Sequence, residues 1–121
     1  SDEGKLKGLG LFEGKVTRLN EAQGERVPHM GWAPLDIQNP SPLLSKASKS
    51  NWVYFVHSFA AIPANQTDIA ATASFGASSI TSIVWKGRVG ACQFHPEKSS
   101  FAGNQMLIRW LNWLESGAKP F

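Results

Sequence analysis

Residues 51–59, NWVYFVHSF, gather six aromatic or β-branched side chains into nine positions. The run is too short for a helix that buries all its faces, and it reads as a strand covered on both faces, the pattern expected inside an α/β sheet. Other elements must then supply the cover. The run ends in His57, Ser58 and Phe59, which puts polar groups at the carboxyl end of the strand, the edge where open α/β sheets bind ligands. For His57 two readings stand, a hydrogen-bonded structural histidine and a ligand-facing one.

The flanking sequence supplies short elements. Residues 14–19 alternate apolar and polar side chains as a half-buried strand does, and residues 21–25 follow as a polar turn centred on Gly24. Residues 27–32, VPHMGW, read as a packed turn ahead of a strand at 33–37, NPSP at 39–42 breaks the chain, and 43–50 has room for one or two helical turns. After a loop at 60–68 come three strand-like runs, 70–75, 79–85 and 89–94, with Lys86, Gly87 and Arg88 as a hairpin turn between the last two. In 101–115, Leu107, Trp110, Leu111 and Leu114 share one helical face; Ser99 or Ser100 can cap its start, and Gly117 with Pro120 closes it. The five tryptophans, at 32, 52, 85, 110 and 113, lie in or beside apolar segments and read as core.

With 121 residues the chain is sized for one domain around a single core. Its net charge of +3 is spread along the sequence, a weak argument for an anionic partner. A lone cysteine, Cys92, rules out an internal disulfide and points to a reducing, cytoplasmic setting. Residues 1–5, SDEGK, lack the apolar core of a signal peptide, and no uncharged apolar run reaches the length of a bilayer span, so a soluble protein is expected. Residues 1–10 are polar and Gly-rich like a linker and carry no initiator methionine, and the chain is expected to begin in mid-protein.

The chemistry concentrates in residues 90–100, GACQFHPEKSS. Pro96 fixes its own φ and pushes His95 toward an extended conformation, and an extended backbone sends His95 and Glu97 to the same side. The carboxylate can then hold one ring nitrogen while the other takes and returns a proton near neutral pH. Such a dyad needs a nucleophile. Cys92 is the obvious one to test, but strand alternation turns Cys92 and Phe94 away from His95, into positions where a cysteine behaves as a small buried hydrophobe. A metal site is not supported, because no Cys/His spacing matches one. Nucleic-acid binding is not supported either, since the tryptophans that could stack on bases sit in apolar segments. From the residues alone, the chain is an α/β domain with a His/Glu dyad and no nucleophile of its own.

With those motifs in view, the sequence resembles the class I, triad-type glutamine amidotransferases, and within them the branch that serves histidine biosynthesis. The triplet His95-Pro96-Glu97 inside QFHPEKS matches the family's catalytic His and Glu, while Pro28-His29-Met30-Gly31-Trp32 and Phe55-Val56-His57-Ser58-Phe59 look like loops of the histidine-pathway branch. Gly8-Leu9-Gly10-Leu11-Phe12 with Gly14-Lys15-Val16 looks like the segment just after the nucleophile helix.

The resemblance implies the carboxyl-terminal portion of the family's α/β fold, a mixed sheet with antiparallel hairpins and a C-terminal helix, in a single partial domain. It implies catalytic roles for His95 and Glu97, and a glutamine pocket touched by His57, Ser58 and Phe59. It implies a face formed by Trp32, Tyr54 and Lys98 that docks on a cyclase subunit, a (β/α)8 barrel; for Lys98 a solvated charge is the alternative. No cofactor, metal, nucleic acid or membrane is implied. The family's Gly-x-Cys-x-Gly nucleophile elbow is expected upstream of residue 1, which leaves open a working half of a glutaminase, a silent docking module, or another class I amidotransferase. An isolated portion of such a sheet is expected to expose apolar strand edges and to be marginally stable or self-associating.

Overall fold

The computed structural model describes residues 14–19, 27, 29–48 and 50–121. The linker at 1–10, the Gly8-to-Phe12 motif, the turn at 21–25 and Pro28 lie outside the described residues. The chain forms β1 (Gly14–Arg18), β2 (His29–Pro34), β3 (Asp36–Ile37), β4 (Trp52–His57), β5 (Phe59–Pro63), β6 (Ile69–Phe75), β7 (Ser78–Lys86), β8 (Val89–Cys92) and α1 (Ser100–Glu115). Short 3-10 turns stand at Gln66–Asp68 and Pro96–Lys98. β1 pairs with β5, β2 with β4, and β3-β6-β7-β8 form a four-stranded sheet; every pairing among the described residues is antiparallel. Antiparallel hairpins closed by a C-terminal helix match the expected fold class.

The main core lies where β2 and β4, the four-stranded sheet and α1 meet, with Leu35, Val53, Phe55, Ala73, Ile83 and Met106 at its centre. Removing a side chain the size of Phe55 from water contributes roughly 2–3 kcal/mol. A smaller cluster joins Leu19, Ala60, Phe75 and Ile80 where β1, β5, β6 and β7 come together. Gly87 turns the β7–β8 hairpin at φ 64°, a conformation that costs a side chain dearly. That hairpin is tied to the chain's end: Gly87 and Phe121 exchange backbone hydrogen bonds, and Arg88 Nε donates to the Ala118 carbonyl at 2.7 Å. Among the described residues, no helix is long and apolar enough to cross a membrane.

Several expectations are corrected. β4 is buried on one face only: Val53 and Phe55 point inward while Trp52 and Val56 lie exposed, because among the described residues a single layer packs on it. VPHMGW is not a turn throughout, since β2 already begins at His29 and pairs with β4 over six residues. Residues 43–48 contain only an isolated turn, held by a hydrogen bond from the Ser48 N–H to the Ser45 carbonyl. The first part of the loop expected at 60–68 is β5, through Pro63, which the partner strand β1 stabilises despite its alanines and terminal proline.

The helix packs by a different face from the one its large apolar residues suggest. Ala102, Gly103 and Met106 are the buried positions, and Leu107, Trp110, Leu111 and Leu114 are exposed. The small side chains allow close backbone approach: a Cβ at Gly103 would fall inside the van der Waals envelope of the Pro96 carbonyl. Of the five tryptophans, Trp85 is buried and Trp113 packs partly against the core, whereas Trp32, Trp52 and Trp110 are exposed.

Candidate active site

β4 organises the candidate site. Along one edge it pairs with β2; at the other, the peptide groups of Tyr54 bind the turn that follows β8. The Tyr54 carbonyl accepts from the His95 N–H at 3.2 Å, and the Tyr54 N–H donates to the Ser99 hydroxyl at 2.9 Å. Phe94, immediately before His95, is 3% exposed and packs edge-on against Phe55, which anchors the turn from below.

His95 and Glu97 meet, though not for the reason expected. His95 is extended at φ −101°, ψ 102°, but Glu97 stands inside the 3-10 turn Pro96–Lys98, so it is the tight turn rather than strand alternation that brings the carboxylate back. His95 Nδ1 and Glu97 Oε2 are 3.4 Å apart, with the side chains 39% and 64% exposed. When Nδ1 carries the proton and donates to the carboxylate, Nε2 is left with a lone pair that can accept one. The Glu97 carboxyl is held below its usual range, chiefly by its own backbone N–H and further by His95, with burial opposing.

Cys92 does not join them. It packs partly against the main core, and burial, followed by the charge of Glu97, pushes its thiol up to about 11. At neutral pH it is therefore a thiol and not a nucleophilic thiolate. Cys92 lines an apolar cavity of about 450 Å3 between β8 and α1, together with Trp85, Val89, Pro96, Met106 and Trp110. That cavity contains neither His95 nor His57.

His57, Ser58 and Phe59 form the corner between β4 and β5; His57, the last residue of β4, lies three residues or about 10 Å along the strand from Tyr54, which holds the dyad's turn. The corner is fixed by side chains and backbone alike. The Phe59 carbonyl can only accept, so His57 Nδ1, at 2.8 Å from it, carries the proton; His57 Nε2 then accepts from His29 Nδ1 at 3.0 Å. The chain of bonds keeps both rings neutral. Burial, then the neighbouring His57, lowers His29 to about 4, and burial lowers His57 as well, against the raising effect of its bond to Phe59. The Ser58 carbonyl accepts from the Leu19 N–H at 2.8 Å, and the Phe59 side chain is exposed.

Trp32 and Tyr54 are directly opposed across the β2–β4 ribbon, their rings 5.7 Å apart and edge-on, on the face away from the core. Met30, Trp52 and Val56 lie exposed on the same face. Lys98 is exposed on the turn that carries the dyad. The structure thus assembles His95 with Glu97 and Trp32 with Tyr54, and hangs both pairs from β4.

Two residues of this neighbourhood escape the sequence reading. Ser99 is expected as a helix cap, yet its hydroxyl makes no cap and instead bonds Tyr54 and His95. His29 is expected in a packed turn, and only the β2–β4 register, which sets it opposite His57, exposes its part in the corner.

Comparison with known proteins adds a sequence-wide match. The family model described as glutamine amidotransferase class-I matches residues 9–112. Over 120 residues the chain is 62% identical to imidazole glycerol phosphate synthase subunit HisH 2 of Prochlorococcus marinus (strain MIT 9313), covering 99% of this chain and 56% of that protein. Identity and coverage are the same against imidazole glycerol phosphate synthase subunit HisH of Synechococcus sp. (strain CC9605). The subunit of that name from Synechococcus sp. (strain CC9902) is 58% identical over 120 residues, again covering 99% of this chain and 56% of that protein. The chain spans about half the length of the curated relatives it matches.

Proposed function

The chain belongs to the class-I glutamine amidotransferase family, and from that premise we propose that it carries the acid–base half of a glutaminase, the HisH-type subunit of imidazole glycerol phosphate synthase. The observation that carries the proposal is the contact of His95 Nδ1 with Glu97 Oε2 at 3.4 Å, which commits one ring nitrogen and leaves the other to move a proton. Contacts of this kind are often long before substrate binds. The nucleophile in this reading is a cysteine outside these 121 residues, because Cys92 is packed partly against the core and protonated.

In the proposed reaction His95 Nε2 takes the proton of that cysteine, whose sulfur attacks the side-chain amide carbon of L-glutamine. The imidazolium returns the proton to the departing nitrogen, releasing ammonia and leaving a thioester. Water, deprotonated by the same nitrogen, then cleaves the thioester to glutamate and free thiol. Glu97 holds the tautomer and stabilises the protonated ring. His57, Ser58 and Phe59 receive the amino-acid end of glutamine at the rigid corner of β4 and β5. Trp32, Tyr54 and Lys98 belong to the face that meets the cyclase subunit, a (β/α)8 barrel, in a cytoplasmic heterodimer that passes ammonia on for histidine biosynthesis. The chain is in this proposal a single partial domain, inactive without the nucleophile.

A second reading rests on the exposed Trp32, Tyr54 and Trp52 face: a docking module that binds the cyclase without catalysis. One experiment separates the two. The chain is combined with a segment supplying the nucleophile elbow and with the cyclase, and glutamate release from glutamine is followed. The glutaminase reading expects release that falls by roughly 10²–10⁴-fold in His95→Ala. Cyclase binding without release, or release indifferent to His95→Ala, refutes it.

A further inference from the structure

We propose that the buried hydroxyl of Ser99 is a positioning residue for the His95 imidazole, a role that rests on the proposed glutaminase function. Ser99 is fully buried, and its hydroxyl is used twice: it accepts the Tyr54 N–H at 2.9 Å and donates to the His95 carbonyl at 2.6 Å. The His95 N–H returns to the Tyr54 carbonyl at 3.2 Å, so three hydrogen bonds close a ring through Tyr54, His95 and Ser99. Both backbone groups of His95 are thereby fixed to β4, the strand that also carries the His57 corner. The His95 side chain takes its tautomer from Glu97, but its placement depends on the backbone. The contact with Glu97 is 3.4 Å long and open to solvent on both sides, and an exposed pair of that kind holds geometry weakly.

The helix gains no cap from the arrangement. Ser99 occupies the N-cap position of α1 but makes no side-chain bond to the first turn, so the hydroxyl serves the His95 turn instead. A group that must take and return a proton at one nitrogen is sensitive to placement, and a displacement of about 1 Å lowers turnover by roughly 100-fold. Without the hydroxyl, the Tyr54 N–H and one bond to the His95 carbonyl lose their partner, and the turn can drift from the strand.

The test is a double-mutant cycle in the assembly of chain, nucleophile-bearing segment and cyclase. Ser99→Ala is expected to lower kcat by about tenfold or more while KM for glutamine stays within about twofold, and to add no further loss on the His95→Ala background. A purely structural role would lower residual activity in both backgrounds alike, and that result overturns the inference. Unchanged kcat in Ser99→Ala also overturns it. If Ser99→Ala does not fold, Ser99→Cys, which keeps the volume and a weak donor, is read by the same criteria; failure of both to fold makes the hydroxyl structural and overturns the inference. Absence of glutaminase activity in the unmutated assembly, or activity indifferent to His95→Ala, removes the proposed function and this role with it.

Discussion

Acid should loosen this fold through one histidine pair before it reaches most carboxylates. His29, at the start of β2, is lowered to about 4 by burial and by His57, and His57 itself is lowered by burial. Well above pH 6.5 both rings are neutral in the folded and unfolded chain, and neither contributes a pH dependence. Between about 6.5 and about 4 the unfolded chain takes up protons that the fold refuses, so stability declines as pH falls; below about 4 that decline is complete. For His29 the span from 6.5 to about 4 corresponds to about 3 kcal/mol. Solvent at the end of the β2–β4 ribbon screens part of it, which leaves about 1.5 kcal/mol. The assay is urea unfolding at about pH 7, 6, 5 and 4.5 on the wild type and on His29→Phe, whose ring preserves the stacking on Phe55 but cannot protonate. Carboxylate titrations enter both proteins and cancel in the difference. The wild type should lose about 1 kcal/mol more than the variant between about pH 7 and 4.5, the part of that total reached before the folded ring titrates near 4. Equal losses would refute the reasoning, as would a His29 proton resonance that titrates at 6.5 or above.

Two further outcomes follow from the same neighbourhood. Gly103→Ala drives a methyl into the Pro96 carbonyl, a backbone atom with no rotamer to yield. It should cost about 1–3 kcal/mol and several degrees of Tm, and an unchanged melting curve would contradict the close approach. Cys92, with its thiol raised to about 11, should react with iodoacetamide near pH 8 roughly 100-fold more slowly than free cysteine. Labelling at the rate of free cysteine would show that it is not packed against the core.

Some of this is legible in the sequence, and the rest is concealed for identifiable reasons. Strands with a clear alternation or a glycine turn, such as β1 and the β7–β8 hairpin, are readable because local chemistry determines them. β5 is not, because Ala60, Ala61 and Pro63 carry little strand propensity and take their conformation from pairing with β1. The helix is readable in extent but not in orientation. Periodicity favours the stripe through Leu107, Trp110, Leu111 and Leu114, whereas the face that packs is the one whose small residues allow contact with the Pro96 turn. The His95–Glu97 pairing is expected through an extended backbone and is made by a 3-10 turn, two routes that bring the same atoms together. Ser99 and His29 cannot be singled out from sequence, since their partners lie 45 and 28 residues away and only tertiary register unites them.

β4 divides its labour by parity. Odd-numbered residues Val53, Phe55 and His57 serve the interior, even-numbered Trp52, Tyr54 and Val56 serve the outside, and the peptide of Tyr54 holds the turn that carries His95 and Glu97. Point substitutions can each trouble one of these duties and spare the others. Loss or gain of a single codon within the strand would exchange all of them at once, turning aromatic rings outward and the anchoring amide toward β2. Length, more than composition, therefore decides whether these six residues keep all of these duties at once.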